Sequence, residues 1–237
     1  MKIYKKSFLD QVVCEIRFLP ELYIEGNKNL FYDRIKNEYP LVLLPYPDSS
    51  SPNSLQPYRF DSADQHKSVI FSIDKITYIE RKYNGFEAFK PNAIKYLEMF
   101  CDIYKIKDLV RLGLRYVNII PIVVEKGGSL PIGEYLNFSL NLPEEISANK
   151  IKQINANFIT EFNGGHLRIH IAQQKSEALI GESAILKHGL LLDFDYVVST
   201  KFSSKSIDNY IEEAHKHTKL VFNKIITEKY EKILMEE

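Results

Sequence analysis

"VRLGLRYVNII" (110–120) alternates Leu112, Leu114 and Tyr116 with Arg111, Gly113 and Arg115, and this alternation makes it a β-strand. The same period sets Arg111 and Arg115 on one face, with Gly113 between them and Val117 and Ile119 beyond. A glycine at the centre of that face leaves room for something to come close to the backbone: a ligand, a neighbour's ring or another strand. "GLLLDFDYVVS" (189–199) answers it chemically, because Asp193 and Asp195 share a face while Leu192, Phe194 and Tyr196 take the other. The two faces either pair with each other across a sheet, forked guanidinium to carboxylate, or form an anion site in which the arginines grip a phosphate or carboxylate and the aspartates orient them. Ion-pair networks mimic sites, and no phosphate-cradling glycine loop accompanies these residues, so pairing is the simpler reading.

Strands of the same kind lie on both sides. "VVCEIRF" (12–18) turns Val12, Cys14, Ile16 and Phe18 inward and Glu15 and Arg17 outward. "YRFDSADQHKSVIFSIDKITYIERKY" (58–83) reads as a hairpin with Val69, Phe71 and Ile73 on one face and Ile70, Ile76 and Tyr78 on the other. In the second half, 135–143, 150–162 and 166–174 alternate in the same way, and Asn163-Gly164-Gly165 is a hairpin signal because Asn-Gly tolerates positive φ. Phe31, Ile35 and Tyr39 fall at helical spacing before Pro40, and Ile94, Leu97, Cys101 and Tyr104 form a helical stripe over 90–104, with Pro91 in its first turn. After Ser203 and Ser204, Ile207, Ile211, Ala214, Val221 and Ile225 mark a long terminal helix, or two with a bend. Pro121 limits the Arg-bearing strand or places its end at an edge. The Pro- and Ser-rich stretch 40–57 reads as a loop.

The class is therefore α+β: a mainly antiparallel sheet, two helices in the first half and a long C-terminal helix packed on the sheet. The 237 residues make one domain, or two intimately packed halves (1–124 and 125–237). Each half runs through several strands and closes on a strand-to-helix transition, although no residue-level repeat is visible.

Composition narrows the function classes. Lys plus Arg equals Asp plus Glu at 31 each, so no global positive field draws the chain to nucleic acid or anionic membranes; only a local basic groove would. No apolar run is long enough to cross a bilayer and the start lacks a signal-peptide h-region, which favours the cytoplasm. Cys14 and Cys101 fall on apolar faces and read as buried thiols.

Catalytic and metal chemistry find little support. His166 and His170 lie roughly 13 Å apart along a strand, too far for one zinc, and His215 and His217 diverge on a helix. Asp193 and Asp195 alone are a weak Mg²⁺ signal. There is no Gly-x-Ser-x-Gly elbow and no Cys-x-x-Cys, and "EKGGSLPIG" (125–133) lacks a helix to aim amides at a phosphate. No cofactor is expected. The lysines of the terminal helix are balanced by Glu212, Glu213, Glu228 and Glu231.

"VVCEIRF", "RLGLRYVNII" and "LLLDFDYVV" followed by "AHKHTKLVFNKIIT" (214–227) together resemble an uncharacterised, sporadically distributed prokaryotic family of about this length. The resemblance spans nearly the whole chain. It makes Glu15, Arg17, Gly113, Leu114, Arg115, Tyr116, Asn118, Asp193, Asp195, Phe222 and Thr227 signature positions, and His215 and His217 compete for the signature histidine. The resemblance implies no activity. A patchy distribution is what accessory genes for conflict with phages or mobile elements show.

Two functional expectations follow. The first is a non-enzymatic binding module with a protein partner or a second copy of itself, an accessory subunit or regulator in a defence or toxin–antitoxin-like system. The second is an enzyme or sensor for a phosphorylated small molecule or nucleotide, with Arg111, Arg115, Asn118, Asp193 and Asp195 as its ligand-binding residues.

Overall fold

The alternating stretches around Cys14 and Leu114 lie side by side at the centre of one antiparallel sheet. The computed structural model describes residues 8–44, 57–122, 130–138, 153–162, 164–180 and 183–235. In it β1 (Leu9–Arg17) pairs with β7 (Arg111–Ile122) so that Cys14 faces Leu114 and Glu15 faces Gly113. Outward from β1 run β5 (Lys75–Glu80), β4 (Lys67–Ser72), β3 (Tyr58–Asp61) and β2 (Leu41–Leu43); outward from β7 run β10 (Ser183–Val198), β9 (Gly165–Ile180) and β8 (Asn155–Phe162). All nine strands are antiparallel to their neighbours. A separate short ribbon joins β6 (Asp108–Leu109) to β11 (Phe202–Ser203).

The helices are α1 (Tyr23–Gly26), α2 (Lys28–Ile35), α3 (Phe86–Tyr104), α4 (Ile132–Tyr135), α5 (Ile207–Ile225) and α6 (Glu228–Met235). The order of elements repeats. β1, α2, β3–β4–β5 and α3 form one block, and β7, α4, β8–β9–β10 and α5 the other. Each block lays its strands outward from the β1–β7 seam, α3 packs against β5, and α5 packs against β7 and β10. The strand-to-helix closure of each half is thus a two-fold relation of topology.

One core runs through both blocks. Val12, Cys14 and Ile16 of β1, Leu112 and Leu114 of β7, Phe71, Ile76 and Tyr78 of β4 and β5, and Leu192 and Phe194 of β10 are all buried on the same sheet face. The helices cover that face with Phe31 and Ile35 (α2), Phe89, Leu97 and Phe100 (α3), and Ile207, Ile211 and Ala214 (α5). Each Val, Leu, Ile and Phe side chain among these contributes about 1.5–3 kcal/mol by leaving water. Phe71 holds the aromatic centre, with ring centroids 5.5, 5.5 and 5.3 Å from Phe31, Phe60 and Phe100. Both cysteines are free and buried, and burial pushes the Cys101 thiol up to about 12.

Several expectations need correction. Ile76 and Tyr78 share the core face with Val69 and Phe71, because the two-residue turn at Ile73 and Asp74 sets Phe71 opposite Ile76 and Val69 opposite Tyr78. Helix α3 begins four residues before 90, so Pro91 sits inside it, and its buried stripe runs through Phe86, Phe89, Ala93, Tyr96, Leu97, Phe100, Cys101 and Tyr104, leaving Ile94 half-buried. Part of 40–57 is the edge strand β2; 45–56 lie outside the described residues. The start of 135–143 is no strand: Tyr135 ends α4, Leu136 bridges Ile226, and 139–152 are outside the described residues. Pro121 is accommodated because β1 stops pairing with β7 at Leu9 opposite Asn118.

The turn signal holds, whereas the residue that caps α5 is Ser206, whose side chain makes no capping bond. Gly164 takes φ +80° between β8 and β9. The Ser203 hydroxyl accepts from the Lys205 amide ahead of α5. The bend in the terminal helix falls at Ile226 and Thr227, where the Thr227 hydroxyl accepts from the Tyr230 amide and donates to the Glu134 carbonyl.

His215 fastens α5 to the sheet. Its ring stacks on Phe86 with centroids 3.7 Å apart, and its Nδ1 lies 2.8 Å from the Tyr116 hydroxyl. Burial, with Lys219 nearby and Glu212 opposing, holds its pKa down at about 4. An unfolded His215 takes up a proton near pH 6.5, which the folded chain refuses. Its stabilising effect is therefore complete above pH 6.5 and is lost as pH falls toward 4, by about 3 kcal/mol. We predict that denaturant unfolding of His215→Gln is less steeply pH-dependent than that of the wild type between these values; parallel curves would refute the assignment. Gly165 gives a second prediction. A Cβ there would lie 2.7 Å from Tyr196 Cζ and 2.8 Å from the Val197 carbonyl. Gly165→Ala is expected to cost about 2 kcal/mol in a thermal or denaturant melt, and a variant as stable as wild type would contradict the packing of Tyr196 over the β8–β9 turn.

Candidate functional site

Among the described residues the major helices all pack on one face and leave the opposite face of the sheet free of them, and strand register decides what it displays. One row across it reads Arg59, Ile70, Thr77, Glu15, Gly113, Val197 and His166. The next reads Asp61, Ser68, Ile79, Val13, Arg115, Asp195 and Arg168. Arg111 lies at the end of the face, directly opposite Arg17, which is opposite Lys75.

The arginines and carboxylates pair. Arg115 Nε and Nη2 donate to the two oxygens of Asp193 at 2.8 and 2.7 Å. Arg59 grips Asp61 in the same forked way at 2.8 and 2.8 Å. Arg168 Nη2 reaches Asp195 at 3.2 Å. Glu15 serves two guanidinium groups, accepting from Arg17 Nε at 2.7 Å and from Arg111 Nη1, while its other oxygen accepts from Thr77 Oγ1 at 3.2 Å. The Asp193 bond raises the Arg115 pKa further. Burial raises that of Asp195 against the opposing pull of Arg168, Arg111 and Arg115.

These pairs are layered. Side-chain exposure is 39% for Arg115 and 2% for Asp193, 38% for Arg59 and 4% for Asp61, and 40% for Arg168 and 15% for Asp195. Glu15 likewise lies below Arg17 and Arg111. In each pair the anion sits down against the sheet and the cation faces outward. The space above Gly113 is taken by the protein itself, since a Cβ there would meet the Arg111 guanidinium at 3.5 Å. Beside the charged rows lies a small apolar island of Val117, Ala172 and Leu191, with Ile119 against it.

The structure thus brings Arg111, Arg115, Asp193 and Asp195 onto one face and leaves Asn118 off it. Asn118 lies on the core face, 7% exposed, and donates through Nδ2 to the Leu192 carbonyl at 3.1 Å. The counter-charge of Arg111 comes from Glu15 of β1, not from β10. Glu15, Arg17, Lys75 and Arg168 join the face as well, and the outward alternation of Glu15 and Arg17 was the signal that pointed to two of these positions.

What the arrangement can do follows from what is already engaged. Asp193 and Asp195 are held by guanidinium groups, and among the described residues no group of three or more His, Cys, Asp or Glu is placed to hold a metal ion. His170 Nε2 lies 2.9 Å from Asn155 Oδ1 at the sheet margin. A depression lined by Arg34, Lys95, Glu98, Met99, Asp102 and Ile103 belongs to the helical side, between α2 and α3. Compared with family models, curated proteins and solved structures, the chain matches none, so no function is transferred to it by similarity.

The layering is tested by a double-mutant cycle. Arg115→Leu strands a buried carboxylate and is expected to cost about 2 kcal/mol, with Asp193→Leu comparable. The double variant should recover about 1 kcal/mol relative to the sum, read from denaturant melts. A coupling indistinguishable from zero would mean that the pair does not hold β7 to β10.

Proposed function

We propose that the protein is a non-enzymatic binding module that presents its helix-free sheet face to a partner. The observation that carries this reading is the layering of charge: carboxylates beneath, guanidinium groups above. A face built in this way offers directional donors over a broad area and keeps its acids occupied, which suits recognition better than proton transfer or metal chemistry. A protein contact has separate support at the sheet edge, where Leu41, Val42 and Leu43 of β2 and the following Leu44 are exposed, and apolar edge strands are natural sites for pairing with another chain.

The setting we propose, an accessory subunit or regulator in a prokaryotic defence or toxin–antitoxin-like system, draws on the resemblance of "RLGLRYVNII" and its companion stretches to a sporadically distributed family. Among the described residues no helix is long and apolar enough to cross a membrane; a cytoplasmic location belongs to the proposal. The enzyme or sensor reading has weaker support, because Arg115 and Arg168 already engage the carboxylates that would hold a metal, which leaves Asp193 and Asp195 only the role of orienting those arginines.

The test is capture from a native-host lysate with the tagged protein and with its Arg17→Gln/Lys75→Gln variant, scored for both protein and nucleic acid. At least one component is expected to bind the wild type and to be lost from the variant. The reading fails if both chains emerge as bare monomers, or if a nucleotide with Mg²⁺ raises the melting temperature and Asp195→Asn removes that rise.

A further inference from the structure

Charge on the helix-free face is uneven. Across β7, β10 and β9 the cross-strand neighbours alternate in sign, with Arg115 opposite Asp195 and Asp195 opposite Arg168. Across β5, β1 and β7 they do not: Lys75 is opposite Arg17, and Arg17 is opposite Arg111. Among the described residues the one carboxylate bonded to this ladder of three cations is Glu15, shared by Arg17 and Arg111, and Lys75 makes no ion pair. Like charges directly opposite on adjacent strands destabilise a sheet. A local cost that the fold does not cancel marks a position where something other than the chain supplies the balance.

The donors left over point the same way. Among the described residues Arg17 bonds only through Nε, and Arg111 only through Nη1, both to Glu15. Arg115 and Arg59 bind their aspartates through Nε and Nη2, and among the described residues no bond engages Nη1 of either. From Lys75 on β5 to Arg168 on β9 is four strand spacings, about 19 Å, and Arg111 to Arg115 is about 13 Å along β7. Small-molecule sites are concave, whereas this is a row of cations on an open sheet, matched to a ligand that carries charge at intervals along its length. The rows crossing the face contain no Phe or Tyr on which unpaired bases would stack, and this favours a duplex backbone over a single strand. The chain's neutrality is no obstacle, because backbone recognition at short range depends on the local ladder of cations and not on net charge.

We propose that the helix-free face binds the phosphodiester backbone of a nucleic-acid duplex without reading its bases, anchored by Lys75, Arg17 and Arg111 and continued by Arg115 and Arg168. This deepens the binding-module reading and rests on it. The probe is a fluorescein-labelled duplex DNA of ~20 base pairs in anisotropy titrations from about 50 to 200 mM salt, where each phosphate neutralised adds about −0.9 to the log–log slope. Binding is expected, with Arg17→Gln/Lys75→Gln weakening it about tenfold and flattening the slope by about 2, and with Arg17→Lys remaining close to wild type. Far-UV circular dichroism and melts accompany each variant, and both substitutions leave the Arg111–Glu15 pair in place. Any of three results overturns the proposal: no duplex binding at the lowest salt, equal binding by the double variant, or displacement of the duplex by polyglutamate or a nucleoside triphosphate at matched charge. Failure here with a host protein still captured through the face would remove the duplex and keep the binding module; failure of both would remove both.

Discussion

The register between β1 and β7 is the constraint on which the rest depends. With Glu15 opposite Gly113, the core residues Val12, Cys14 and Ile16 join Leu112, Leu114 and Tyr116 beneath the helices, and Glu15 comes between Arg17 and Arg111 on the other side. A slip of one residue would send each of these sets to the wrong face. Cost on both faces therefore fixes the pairing, and since β1 opens one block of the fold and β7 the other, the same register joins the two blocks into a single sheet.

A sheet with helices on one side must still keep the roots of its other side out of water, and here long side chains do so. Ile79, Val117 and Leu191 stand on the helix-free face yet are no more than 9% exposed. Arginine stems lie along apolar surface and carry their charged heads into solvent, and the forked bonds to Asp61 and Asp193 pin two of those heads in place. The layering is thus a covering as well as a charge pattern. Removing an arginine would uncover apolar surface and strand a buried acid together, which is why pairs that are half-exposed at their cationic end can matter more than ordinary surface bridges.

Much of this was legible in the sequence because it depends on period alone. Alternation placed the core of β1 and β7, the shared face of Arg111, Gly113 and Arg115, and the facing pair Asp193 and Asp195; Asn-Gly-Gly located the β8–β9 turn. What depends on register between strands was not legible. Glu15 as the partner of Arg111, and Lys75 as the neighbour of Arg17, follow from turn lengths and from pairings between residues far apart in sequence. Asn118 was placed with the arginines on the strength of its signature, although period two already set it beside Tyr116 on the core face. The reversal of Ile76 and Tyr78 has the same origin, since a two-residue turn decides which faces of a hairpin coincide.

Net charge, finally, is a property of the chain, and recognition a property of surfaces. Equal numbers of acids and bases exclude a long-range field, but they place no limit on how the fold sorts them. Here the sorting operates at two scales. Across the molecule, α5 and α6 mix five acids with five lysines, whereas the end of the helix-free face sets Lys75, Arg17 and Arg111 side by side. Within each pair, the few ångströms between a buried carboxylate and an exposed guanidinium make an electrically balanced pair look cationic from outside, because the nearer charge dominates at contact distance and salt screens the remainder. The ladder of Lys75, Arg17 and Arg111 is where even that pairwise balance is incomplete, and it lies beside the seam that fixes the register of the whole sheet.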